Sequence, residues 1–288
     1  TSGMAPSSNC LEKSYGNFLV HLVLIFLFAG SSTAFSPTRP VRRTTLPSMR
    51  AATVTAPASP PSILVVGLNP ALQKRLLLSP ATPSLIPGDV HRVADVRHGL
   101  GGKGQDVARS LSVLSVRDTL LAQFLGSGAA GDAVARILGD ELGYDDAGTV
   151  RIDSPCRTAT TVVGAELATE LVEAGGAVSG AKADEMLAIV AAAAARGGGG
   201  TPTVTIMGSM PPGLPGDYYA QLLRAARPAR AVVDSVAGLP EMAAALAECG
   251  TRAVLKVNAA ELCRLTATTV PGAEADGADA ATVRRAAA

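Results

Sequence analysis

From residue 62 onward the apolar positions of this chain follow two rhythms that take turns. Ile63-Leu-Val-Val66 is a short, continuously apolar block ending at Gly67, and β-rich blocks recur at Thr119–Leu125, Thr158–Val163, Thr203–Met207, Ala231–Asp234 and Arg252–Val257. Blocks of that length, dense in Val, Ile and Leu, predict strands buried on both faces. Between them the apolar spacing changes to three and four. Val107, Leu111 and Leu114 share one helical face within 103–115, and Val134, Ile137, Leu138 and Leu142 do so within 130–142. Helical stretches are also expected near 181–195, 216–226 and 239–248, with Ala191–Ala195 as a helix end and Gly197–Gly200 as a solvated loop. Strand and helix alternating at this spacing predict an α/β domain, with a mostly parallel central sheet flanked by helices on both faces. No repeat of 20–50 residues is present.

The N-terminus breaks this rhythm. Phe18–Ala29 is an apolar run preceded by Lys13 and followed by Ser32-Thr-Ala34, a small-x-small cleavage pattern. A bilayer-spanning helix needs roughly 20 apolar residues, so residues 1–34 read as a signal peptide and not as a permanent membrane anchor. Residues 35–61 are rich in Ser, Thr, Pro and Arg, and after Glu12 no acid occurs before Asp89. That is transit-peptide composition, and with Phe35 at the junction the two segments resemble the bipartite plastid leader of algae with complex plastids; an ordinary secreted protein with a disordered spacer is the alternative.

Charge narrows the partners. The chain has 25 Lys/Arg and 24 Asp/Glu, of which residues 1–60 hold five and one, leaving 20 and 23 for the body. A mildly acidic body offers no clustered basic surface, so no nucleic-acid partner is expected. With 48% hydrophobic residues but only 3% aromatics and no Trp, the core is built from Ala, Val and Leu. Of the four cysteines Cys10 lies in the signal segment; Cys156, Cys249 and Cys263, three after cleavage and widely spaced, are expected to be reduced thiols.

In an open α/β sheet, ligands sit at the carboxyl ends of strands. The loops there carry Asn69-Pro-Ala71, Gly208-Ser-Met-Pro211, Asp234-Ser235 and Lys256-Val-Asn258 followed by Glu261; a fifth loop, Gly99-Leu-Gly-Gly-Lys-Gly-Gln-Asp-Val-Ala108, runs four glycines and a lysine into a helix. Such a loop presents bare backbone N–H groups and a helix N-terminus to an anionic or polyhydroxylated ligand. It satisfies G-x-G-x-x-G, but the dinucleotide fingerprint follows the first strand at once and has an acid about 20 residues on. Here Gly99 lies far beyond Val66, and the later position holds Phe124-Leu-Gly126. A phosphate-binding P-loop fails as well, because Lys103 is followed by Gly104 instead of Ser or Thr.

Taken in order, Asn69-Pro-Ala71, Gly102-Lys-Gly104 with Val107-Ala108, Cys156-Arg-Thr158, Gly208-Ser209 with Pro211, Asp234-Ser235 and Lys256-x-Asn258-x-x-Glu261 resemble the motif series of the ribokinase-like, or PfkB, carbohydrate kinases. The branch they look most like contains 1-phosphofructokinase and tagatose-6-phosphate kinase. The resemblance implies a ribokinase-like fold with a small β lid over the sugar, spanning residues 62–270 and leaving 271–288 as an Ala-rich tail. It implies ATP-dependent phosphorylation of a sugar or sugar-phosphate hydroxyl with Mg²⁺, and lid strands that pair two subunits as a homodimer.

For this chain the resemblance assigns substrate contacts to Asn69, Gln73, Gly101, Gly102, Lys103, Gly104, Asp106 and Arg157, with Lys103 and Arg157 holding a phosphate already on the substrate. It assigns nucleotide contacts to Asp234, Lys256, Asn258 and Glu261, the last two also suiting hydrated Mg²⁺. On the residues alone, each has a plainer reading. Asn258 and Glu261 make an N-cap with a first-turn acid, Asp234 starts a turn, Asn69 makes an Asx-turn before Pro70, and Lys103 and Arg157 are solvated or surface-paired.

Three departures from the pattern stand out. Gln73 occupies the place of an Asp, and Asp106 the place of an Asn, as though carboxylate and amide had changed sides of the pocket; either accepts a hydrogen bond from a sugar hydroxyl. The Gly-Ala-Gly-Asp motif that the resemblance implies, whose Asp takes the proton from the attacking hydroxyl, does not occur in the 288 residues, and Gly277-Ala-Asp279 is a poor substitute. No catalytic residue is therefore assigned. The base is expected beyond residue 288, and the chain as given is expected not to turn over. The alternative is a non-catalytic PfkB-like binding or scaffold protein of the plastid.

Overall fold

The computed structural model describes residues 61–81, 84–196, 201–258, 261, 262 and 265. The leader segments, the Gly197–Gly200 loop, Cys263 and the Ala-rich tail lie outside them. Among the described residues ten strands and five α-helices follow one another, with two runs of three consecutive strands and strand–helix alternation elsewhere.

The central sheet has six strands in the order β10-β9-β8-β1-β4-β5, that is Arg252–Leu255, Arg230–Asp234, Thr203–Met207, Ile63–Val66, Thr119–Ser127 and Thr149–Pro155. Every neighbouring pair is parallel. The predicted apolar blocks become its interior because successive side chains point to opposite faces and both faces are covered. Leu64, Val66, Phe124, Val204 and Ile206 point to one side, where α3 (Gly180–Ala195), α4 (Tyr218–Ala226) and α5 (Leu239–Glu248) bury Met186, Val190, Leu222 and Met242 against them. Val65, Leu121, Leu125 and Met207 point to the other, against Val107 and Leu111 of α1 (Lys103–Val113) and Val134 of α2 (Gly128–Arg136).

A second sheet, in the order β3-β2-β6-β7 (Val93–Gly101, Ala71–Leu78, Thr158–Val163, Ala168–Val172), stands beside this sandwich as the small lid. Its β2–β3 and β6–β7 pairs are antiparallel and β2–β6 is parallel. Only β6 of these four was expected as a strand, and β5 of the central sheet was not expected. The three lid strands that were not expected each carry charged residues; β2 is mostly half-buried, β3 mostly exposed and β7 exposed along its whole length. Strands that bury little give no apolar block to read. The expected 130–142 helix is α2 followed by one π turn over Ile137–Glu141. The last strand stops at Leu255, short of Val257. Among the described residues no helix is long and apolar enough to cross a membrane, and Cys156 and Cys249 are free thiols.

Candidate active site

Strand β3 delivers the glycine loop to the carboxyl end of β1, and α1 starts there at Lys103. Gly102 has φ 113°, a left-handed backbone that a side chain would strain. The place its Cβ would occupy is taken by the Oε1 of Gln105. A Cβ on Gly67 would lie 2.7 Å from the Cα of Gly104, so two glycines let the helix start touch the strand end backbone to backbone.

Gln105, 1% exposed, fastens this contact. Its Nε2 donates to the Gly67 carbonyl at 2.7 Å and to Gln123 Oε1 at 3.0 Å, and Gln123 Nε2 donates to Thr149 Oγ1 at 3.1 Å. A chain of buried amides thus ties the loop to β1, β4 and β5, and no member of it was expected from sequence. The available signal was the helical spacing: residue 105 lies three before Ala108, on the edge of the buried face of α1.

Asp234 ends β9 with 2% exposure. Lys103 Nζ stands 2.7 Å from its Oδ1, and Lys256 Nζ, from the loop after β10, 3.0 Å from its Oδ2. A carboxylate this far from water needs its counter-ions in contact. The expected division of labour placed Lys103 on the substrate side and Asp234 and Lys256 on the nucleotide side. The structure brings all three into one joint.

Asn69, after β1, donates through Nδ2 to Ser209 Oγ at 3.1 Å, and its side chain fills the place that a Cβ on Gly175 would need. The Ser209 loop is fixed from behind. Gly208, at φ 84°, donates to the Asp234 carbonyl at 2.9 Å, and its own carbonyl accepts from the hydroxyl of buried Tyr219 at 3.1 Å. Burial raises the Tyr219 phenol above its ordinary pKa, so it stays a donor. Arg157 is turned inward: Nη2 donates to the Asn69 carbonyl at 2.6 Å and Nε to the Pro70 carbonyl at 3.3 Å. Burial pulls its pKa below the usual arginine range, and its hydrogen bonds hold the Asn69 turn.

On the lid, Gln73 Nε2 donates to Thr161 Oγ1 at 2.7 Å, while its Oε1 lies over Gly101. Asp106 Oδ1 accepts from Arg109 Nη2 at 2.6 Å, one turn further along α1. Asn258 and Glu261 satisfy each other. The Glu261 N–H donates to Asn258 Oδ1 at 2.8 Å and the Asn258 N–H to Glu261 Oε2 at 2.9 Å, a reciprocal capping box at a helix start. Among the described residues no group of three or more His, Cys, Asp or Glu is placed to hold a metal ion.

The geometry thus gathers the Asn69, Gly101–Gly104, Gly208–Ser209, Asp234 and Lys256 loops at one end of the sheet, with Gln73 on the lid beside Gly101. The sequence pattern of the pfkB family carbohydrate kinases matches residues 76–286. Among solved structures, phosphofructokinase-2 from Escherichia coli in complex with fructose-6-phosphate superposes with a TM-score of 0.61 at 24% identity, over 78% of this chain and 68% of that one. A putative phosphofructokinase from Staphylococcus aureus gives 0.54 at 21%, over 78% and 66%. A possible 1-phosphofructokinase from Thermotoga maritima gives 0.52 at 18%, over 68% and 71%. At these identities the likeness establishes the fold, and the family match spans most of the 288 residues. The chain belongs to the pfkB family of carbohydrate kinases.

Proposed function

We propose that the chain binds ATP and a hexose phosphate across the glycine-loop cleft, and that the enzyme it belongs to transfers the terminal phosphoryl group of ATP to a hydroxyl of that sugar. The observation that carries this reading is the Lys103–Asp234–Lys256 joint, which couples the loop expected to face the sugar to the strand ends expected to face the nucleotide. Phosphoryl transfer asks a protein chiefly to align the reactants and neutralise charge. Two ammonium groups held by one buried carboxylate, beside the amides of a helix start, supply both.

The donor set also fits Mg²⁺, which is commonly held by one or two carboxylates together with waters and substrate phosphates. Asn258 and Glu261, an amide oxygen and a carboxylate at one helix start, are the residues that would hold it, and the ion would supply charge neutralisation to the nucleotide phosphates. A phosphorylated hexose is favoured over a free sugar by the motif series of the phosphofructokinase branch and by the fructose-6-phosphate bound in the Escherichia coli structure. The base that takes the hydroxyl proton is placed in the Gly-Ala-Gly-Asp motif, absent from these 288 residues. The second reading is a non-catalytic binding or scaffold protein.

ADP release, measured with the complete reading frame, ATP, Mg²⁺ and fructose 1-phosphate, fructose 6-phosphate or tagatose 6-phosphate, tests the proposal. Release that depends on one of these sugars is expected. Release with none of them contradicts the kinase reading and leaves the binding protein.

A further inference from the structure

Two amides lie where apolar side chains would pack. Gln105 and Gln123 are each 1% exposed, inside the layer that Val65, Val107, Leu111, Leu121 and Leu125 form between the central sheet and α1. Gln123 shares the face of Leu121 and Leu125, because alternate residues of a strand point the same way. A Leu or Met at either position would bury a similar volume without taking an amide out of water. Replacing a buried hydrogen-bonded pair by apolar groups of the same shape can leave stability nearly unchanged. Stability alone gives no reason for amides here; direction does.

An apolar contact is non-directional, so a helix can shift over a sheet at little cost, whereas hydrogen bonds fix both distance and angle. The Nε2 of Gln105 carries two protons, and both are used. One goes to the Gly67 carbonyl at the end of β1, at 2.7 Å, and the other to Gln123 Oε1 on β4, at 3.0 Å. Gln123 is held in turn by Thr149 Oγ1 at 3.1 Å, from its partner residue in the register of β4 and β5. On the other side of the same amide, Gln105 Oε1 fills the Cβ place of Gly102, the residue at φ 113° that leads into α1. Three strands thus converge on one side chain in the first turn of α1, next to Gly104 and two residues after Lys103.

We infer that Gln105 is a positioning residue for the sugar substrate, aimed by Gln123 and Thr149. The amides set the height and rotation of the first turn of α1, and with them the place where the Gly101–Gly104 backbone and Lys103 meet the ligand. The role rests on the sugar-kinase reading above. A misplacement of about 1 Å in a binding group can cost on the order of a hundredfold, so a small rotation of the helix start is enough.

Gln123 and Thr149 reach the loop through Gln105, so they can be changed without touching it. Gln123→Leu with Thr149→Val removes two groups that satisfy each other and leaves Gln105 on the Gly67 carbonyl. In isothermal titration calorimetry of the full chain, this double variant is expected to bind fructose 6-phosphate about fivefold or more weakly. Its thermal midpoint should stay within about 3 °C of the wild type. Thr149→Ser, which keeps the hydroxyl, should bind within about twofold of the wild type. Amide exchange in the first turn of α1, where the Asp106 N–H donates to the Gly102 carbonyl at 2.9 Å, should quicken in the double variant and not in Thr149→Ser. Unchanged affinity in the double variant overturns the inference. So does a loss of affinity that comes only with a large fall in the midpoint, because the amides would then serve the core instead of the loop. If the double variant does not fold, Thr149→Val alone decides, and unchanged affinity there overturns the inference equally. Failure of the wild type to bind fructose 6-phosphate overturns the sugar reading and the sugar role with it, whereas unchanged exchange in the double variant overturns the positioning by itself.

Discussion

At the scale of single residues, the site is a set of polar groups that satisfy one another. Asp234 is the clearest case. Its carboxylate is nearly sealed from water and is shared by Lys103 and Lys256, whose side chains are 41% and 20% exposed. Removing one partner of a buried ion pair costs about 3–5 kcal/mol, and the partial exposure of both ammoniums reduces this, because water can reach what is left. Asp234→Ala is therefore expected to lower the unfolding free energy by about 1–3 kcal/mol, and Asp234→Asn, which keeps an oxygen beside Lys103, by less. Urea denaturation followed by circular dichroism measures both, and equal losses would show that the charge is not what the lysines need. Such pairing was only half legible in the sequence. The motif order brought out Lys103, Asp234 and Lys256, but 131 positions separate the first two, and no local pattern states that their side chains meet. Gln105 escaped notice for a different reason. A lone amide beside a glycine loop looks solvated until the fold buries it against Gln123.

At the scale of elements, the contact between the start of α1 and the end of β1 decides where the glycine loop sits. Alanine is favoured over glycine within a helix by about 1 kcal/mol, which on propensity alone would make Gly104→Ala stabilising. A Cβ there would press into the backbone of Gly67, which cannot rotate away as a side chain would. Overpacking of this kind costs about 1–3 kcal/mol. The clash wins, and Gly104→Ala should lower the thermal midpoint; an unchanged or raised midpoint by differential scanning calorimetry would mean that the two backbones are not in contact. The element pattern itself was legible where burial was deep. The strands at 158–163 and 203–207 and the helix at 239–248 match their expected bounds: the second buries the continuous block Val204–Met207 and the helix buries Met242 and Ala245 on one face, while the first, with only Thr161 and Val162 buried, was legible from its run of Thr and Val. The lid strands at 71–78, 93–101 and 168–172 did not announce themselves. They are held by pairing with one another, and their exposed residues give no apolar block to read.

At the scale of the whole molecule, the two sheets divide the work. The parallel sheet fixes five loops at one end, and the lid sets Gln73 beside the glycine loop. The alternation of strand and helix was enough to expect the first sheet, and the order of the motifs enough to expect the lid and the family. Where the cations point was not legible, since Arg157 turning to the Asn69 and Pro70 carbonyls depends on how β6 lies beside β2. The central claim is that these loops form a site for a hexose phosphate, and isothermal titration calorimetry of the folded chain with fructose 6-phosphate tests it most directly. The account predicts saturable one-to-one binding that Gly104→Ala weakens at least about tenfold by shifting the loop. Absence of binding at millimolar ligand, or binding that Gly104→Ala leaves unchanged, would contradict it.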